Sequence, residues 1–198
     1  MPFTLAILST ILLYTWILEP RAVPVAAPAA VVLFLAAWNG WRARTCGLAF
    51  KELIPASRAA VLFTVPAVLV VLGVGFAQGT LHDPGGLFER FIVLVPWGGA
   101  QQWILQTVVL REARQRTSPG NSVILAAFLF ALIHLPNPLL TLMTLIGALG
   151  WCWIYMRHPN IVPLAISHAV ATIVLLSAFN DDLTRGLRIG VAFLRFRM

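Results

Sequence analysis

Charge is the scarcest property of this chain. Only 11% of its 198 residues are Asp, Glu, Lys or Arg, against 60% hydrophobic residues and a mean hydropathy of +0.88. Soluble globular domains carry about 25% charged residues, so this composition excludes an ordinary water-exposed fold. Cysteine is nearly absent. Cys46 and Cys152 are the only two, too few for a disulfide framework or a four-cysteine zinc site. Acidic residues number seven against fourteen basic ones, a net charge of +7. The arginines punctuate apolar runs and form no continuous basic surface, which argues against a nucleic-acid partner and assigns them to topology and lipid headgroups.

Long apolar runs are what the chain has in abundance. They read as residues 3–18, 22–38, 59–76, 91–110, 122–135, 138–156 and 161–179, and about 20 residues suffice for one crossing. Pro20, Gly40, Pro55, Gly79, Pro119 and Pro159 fall between the runs, where helix breakers belong. The expected fold is all-α: one polytopic transmembrane bundle of seven to eight helices, with residues 1–198 as a single domain. No Lys or Arg precedes the first run, so it is expected to be a retained helix and not a secretory signal. Residues 183–198 mix Arg185, Arg188, Arg195 and Arg197 with apolar residues and predict an amphipathic helix at the interface, an eighth crossing being the alternative.

Basic residues alternate between connections. Arg42, Arg44, Lys51 and Arg58 crowd one loop, Arg111, Arg114 and Arg116 the next but one, and Arg157 a third. The positive-inside rule puts these loops and the N-terminus on the cytoplasmic side of the cell membrane. Trp97, Trp103, Trp151 and Trp153 are expected to anchor at the interfaces.

Polar residues inside the runs are few and clustered. Gln101, Gln102 and Gln106 share the fourth run, with Gln102 and Gln106 on one helical face and Gly98 one turn earlier, where a neighbouring backbone can approach. Phe130 and His134 share a face of the fifth run at i, i+4, and His168 and Thr172 repeat that spacing in the last. An imidazole in hydrocarbon is costly, which makes function its default reading. Two imidazoles from separate helices can converge on one divalent metal, zinc for example, or on one polarised water. Glutamines that only glue helices together are the structural alternative.

The order of these motifs resembles the CPBP family, the CAAX-processing and bacteriocin-processing (Abi) intramembrane endopeptidases, over residues 91–178. The three motifs stand here as Gln101-Gln102-Trp-Ile-Leu-Gln106, Phe130-Ala-Leu-Ile-His134 and His168-Ala-Val-Ala-Thr172. The resemblance implies a helical bundle with a catalytic cavity that cleaves membrane-proximal peptides. In it a first-motif glutamate activates water, the histidines hold that water or a metal, and a third-motif asparagine stabilises the oxyanion. Gln101 and Gln102 occupy the two glutamate positions, Gln106 the arginine position and Thr172 the asparagine position. Phe130, His134 and His168 match outright.

The departures bear on chemistry. A carboxamide has no basicity near neutral pH and is a poor metal ligand, so neither Gln101 nor Gln102 can be a general base. Glu89 and Glu112 lie about 16 to 18 Å away along an ideal helix. Losing two acids and one base together leaves a neutral, hydrogen-bonded cluster instead of a broken ion pair. The leading expectation is a divergent endopeptidase in which His134 or His168 takes the proton, Gln101, Gln102, Gln106 and Phe130 orient water or substrate, and Thr172 donates to the oxyanion. A catalytically silent relative that binds hydrophobic or lipidated peptides is the second reading. A small transporter or channel is the third. The expected partners are the bilayer and a membrane-anchored peptide.

Overall fold

The computed structural model describes residues 1–196. Helix α1 (Pro2–Leu13) runs on through a π-helical turn, Tyr14–Leu18, and a 3-10 turn, Glu19–Arg21; α2 spans Ala26–Ala43 and α3 Leu53–Ala77. Helix α4 (Leu87–Ile104) continues through a π-helical stretch, Leu105–Leu110, into α5 (Arg111–Arg114). Then come α6 (Pro119–Leu132), α7 (Pro138–Arg157), α8 (Ile161–Ala178) and two short helices, α9 (Asp181–Thr184) and α10 (Gly190–Leu194). No strand occurs among the described residues, and Leu48 forms an isolated antiparallel bridge with Asn160.

Four stretches are long and apolar enough to cross a membrane: Pro2–Arg21, Phe50–Ala77, Pro138–Arg157 and Ile161–Ala178. Their outward faces are apolar. On α3, Leu62, Leu69, Val70 and Phe76 are all more than 60% exposed, a surface that is stable against lipid and not against water. The chain is a polytopic helical membrane protein.

Helix starts follow from local chemistry. Ser118, Asn137 and Asn160 precede α6, α7 and α8, and each side-chain oxygen accepts a backbone N–H of the first turn, from Asn121, Leu140 and Val162 respectively. Pro119 and Pro138 follow the first two caps as the opening helical residues, where no N–H is needed. Pro119 and Pro55 therefore open helices instead of separating them, which extends α6 and α3 at their N-termini beyond the apolar runs.

Helix α8 is the centre of the bundle, packed against α4 on one side and α3 on the other, while α6 pairs with α7 and α1 with α2. Two glycines set the approach distances. A Cβ on Gly98 would stand 3.1 Å from the Ala165 carbonyl, and one on Gly75 only 2.5 Å from that of Ala178. Gly98 thus admits a neighbouring backbone, as its spacing predicts.

The C-terminal segment departs from expectation. It is not one amphipathic helix: α9 ends at Arg185 in a left-handed conformation, and the chain turns before α10. Asn137 Nδ2 donates to the carbonyls of Thr184 and Arg188, and Gly190 N donates to Leu135 O, which ties the segment across the end of the bundle opposite the arginine-rich loops. Positive φ at Arg185, Gly186, Leu187 and Gly190 breaks the helical path that composition alone proposes. Arg197 and Met198, also part of that expected helix, lie outside the described residues.

Candidate functional site

Gln102 and Gln106 of the fourth run, Phe130 and His134 of the fifth and His168 of the last are linked where α4, α6, α7 and α8 face one another. Gln102 and Gln106 are buried, and Gln106 belongs to the π-helical stretch whose six residues are all buried. Such a stretch packs an extra residue into a helical turn and re-aims its side chains. Gln106 Nε2 donates to Gln102 Oε1 at 3.0 Å, and Gln102 Nε2 lies 3.3 Å from His168 Nδ1. With the amides in this orientation the chain of bonds has one direction. Gln102 gives its N–H to His168, so a neutral His168 carries its proton on Nε2.

His168 is fixed on its other sides by aromatic rings. Trp151 stacks on it with centroids 4.7 Å apart and planes 9° from parallel, and Phe130 meets it edge-on at 6.5 Å. Trp151 Nε1 donates to Ser167 Oγ at 2.9 Å, and Ser167 Oγ lies 2.6 Å from Thr64 Oγ1 of α3. Trp151 is therefore a buried support of the histidine, not an interfacial anchor. Gly147, one turn earlier, leaves the room: a Cβ there would stand 2.8 Å from the indole. That glycine, at i−4 from a tryptophan, was the available signal. Trp97 and Trp153 are exposed, in keeping with an interfacial position.

Phe130 links the two histidines. Its ring also meets His134 edge-on, at 5.3 Å. His134 Nδ1 lies 2.9 Å from the Phe130 carbonyl, which can only accept, so Nδ1 holds the proton and Nε2 keeps a free lone pair. His134 thus offers an acceptor where His168 offers a donor. Thr172 Oγ1 donates to the His168 carbonyl at 3.0 Å, so its hydroxyl is turned onto its own helix. A crevice of about 100 Å³ between α3, α7 and α8 is lined by His168 and Thr172 together with apolar residues such as Phe63, Val71 and Met143.

Gln101 stands apart. It makes no hydrogen bond to either histidine, and its Oε1, like that of Gln106, is buried without a partner. Buried unpaired acceptors cost about 1–3 kcal/mol each, and they are where a water or a ligand N–H finds its place.

A metal does not fit this donor set. A catalytic zinc takes three protein ligands, whereas His134 and His168 share only the Phe130 ring, and no group of three His, Cys, Asp or Glu side chains could hold an ion among the described residues. Two of the seven acids are committed elsewhere. Buried Glu112 accepts the amides of Phe3 and Thr4 at the start of α1, at 3.3 and 3.0 Å, and Glu52 pairs with His158 at 3.0 Å.

A membrane-embedded helical bundle with two histidines against one phenylalanine ring, one of them bonded to an amide pair, defines a class of intramembrane site. The family model for type II CAAX prenyl endopeptidase Rce1-like proteins matches residues 59–174, more than half of the chain, and the chain belongs to that family. The match starts at α3, earlier than the motifs alone indicate, and α3 supplies the Thr64 hydroxyl beside Ser167. No curated protein and no solved structure gives a significant match.

Proposed function

We propose that this chain binds a hydrophobic, membrane-proximal peptide in the family cavity and holds it without carboxylate-driven hydrolysis. One observation carries the reading: every polar side chain brought to the site is neutral. No Asp or Glu pairs with His134 or His168 among the described residues, so nothing stands ready to stabilise an imidazolium. What remains is recognition chemistry. The His134 lone pair, the His168 N–H and the unpaired carbonyls of Gln101 and Gln106 match the N–H and C=O groups of an extended peptide, and the apolar crevice that His168 and Thr172 line suits a greasy side chain. The arginine-rich loops favour an orientation with that end, and the N-terminus, in the cytoplasm.

A second reading is hydrolysis with His134 as base, favoured by its uncommitted Nε2. One experiment separates the two. The chain is reconstituted in vesicles with a farnesylated peptide, and binding and cleavage are followed together by fluorescence anisotropy and mass spectrometry. Binding without product, weakened by His168→Ala, supports the proposal. Product that disappears in both His134→Ala and His168→Ala replaces it with the second reading, and absence of binding overturns both. If Gln101→Glu gains cleavage, the missing carboxylate is the defect that silences the site.

A further inference from the structure

The arginine-rich end holds a larger cavity, of about 800 Å³, whose lining includes none of the residues around His168. The last turn of α2 and the loop after it supply Gly40, Trp41, Arg42, Arg44 and Cys46, and Trp103 of α4 faces them. Arg42 and Arg44 are both exposed, and neither is paired with an acid among the described residues. Arg42 lies 6.0 Å over the Phe3 ring. Glu112, whose bonds run to the amides of Phe3 and Thr4, makes no ion pair with either arginine.

The arginines are not needed to finish the helix. The N–H groups of Arg44 and Thr45 already donate to the carbonyls of Trp41 and Gly40. Arg44 sits at the helix end with φ 52° and ψ 42°, the conformation glycine adopts there at lower cost, so a charged side chain occupies the cavity wall at a position that suits glycine. Below it, an aromatic ladder descends the outer face of α2. Phe34 and Trp38 stack at 6.3 Å, Trp38 and Trp41 lie 5.1 Å apart, and all three are more than 40% exposed. Guanidinium groups with no acid partner among the described residues, above a strip of exposed aromatic rings, match a lipid in cross-section: phosphate at the headgroup level, acyl chain along the rings.

We infer that this cavity binds the phosphodiester headgroup of an anionic phospholipid through Arg42 and Arg44, with the acyl chains lying along Phe34, Trp38 and Trp41. The ladder is what selects a lipid over free phosphate. The site is separate from the histidine cavity and does not depend on what that cavity binds.

Cys46 supplies the probe, because it is exposed on the cavity wall while Cys152 is buried. The full chain is reconstituted in phosphatidylcholine vesicles with increasing phosphatidylglycerol, and Cys46 is alkylated with uncharged N-ethylmaleimide. Phosphatidylglycerol is expected to slow the reaction. One basic residue near an anionic surface contributes about fivefold in affinity. R42Q/R44Q should then need about thirtyfold more phosphatidylglycerol for the same protection. R114Q/R116Q removes the same charge outside the cavity and should keep the protection. Continued silence of Cys152 reports that each variant is folded. Three results overturn the inference: no protection by phosphatidylglycerol, protection that survives R42Q/R44Q, or equal protection by inorganic phosphate in pure phosphatidylcholine vesicles.

Discussion

Two buried polar places lie on the one continuous helix formed by α4 and α5, about 15 Å apart at a rise of about 1.5 Å per residue, and they behave in opposite ways. Around Glu112 each carboxylate oxygen has a backbone N–H of α1, so a charge is buried and paired. Around Gln102 every group is neutral, yet Gln101 and Gln106 keep carbonyls with no partner. A carboxylate at the first turn of a helix neutralises free N–H groups and the positive end of the dipole, which makes Glu112 a structural tie. Unpaired neutral acceptors such as those of Gln101 and Gln106 stabilise nothing by themselves. The comparison teaches that the buried charge at Glu112 marks architecture, whereas the two histidines sit in a neutral, hydrogen-bonded cluster.

Substitutions can break or sharpen this contrast. Trp151→Ala should have the largest effect, a loss of about 3 kcal/mol from the emptied volume, read as a lower Tm in detergent. It also frees the His168 ring and should weaken peptide binding; a normal Tm would show that the stack carries no weight. Glu112→Ala should cost about 2 kcal/mol through the lost cap and leave peptide affinity unchanged. Lost affinity in a folded Glu112→Ala chain would erase the distinction between the two places. Gln102→Leu should cost about 1–2 kcal/mol because it leaves both Gln106 and His168 without their partner. Unlike Glu112→Ala, it should reduce peptide binding at the same time, which titration of labelled peptide would measure. The smallest effect is expected at Gly73, where an added Cβ meets nothing within 4 Å. Gly73→Ala should change stability by less than about 1 kcal/mol, whereas Gly75→Ala, two residues on, should disrupt the α3–α8 contact and lower Tm clearly.

Much of the architecture was legible in advance because hydrophobic length is a local property. The seven apolar runs correspond to α1, α2, α3, α4 with its π-helical extension, α6, α7 and α8, and the three motifs came from residue order alone. Helix limits were less legible, since Pro55 and Pro119 read equally well as breakers or as first-turn residues. At the site, spacing put Gln102 beside Gln106 and Phe130 beside His134. It could not say that Gln102, and not Gln101, would reach His168, because that depends on how α4 rotates against α8 across Gly98.

Composition and periodicity by themselves determined a helical membrane protein with a neutral polar cluster inside its apolar runs, because solvation by lipid acts on each segment independently. Only the tertiary structure decided that Trp151 is buried on His168 and that the C-terminal segment folds back across the bundle end. It also decided that Glu112 is committed to α1. Each of these is a contact between segments far apart in the chain, whose energy exists only once the helices have packed.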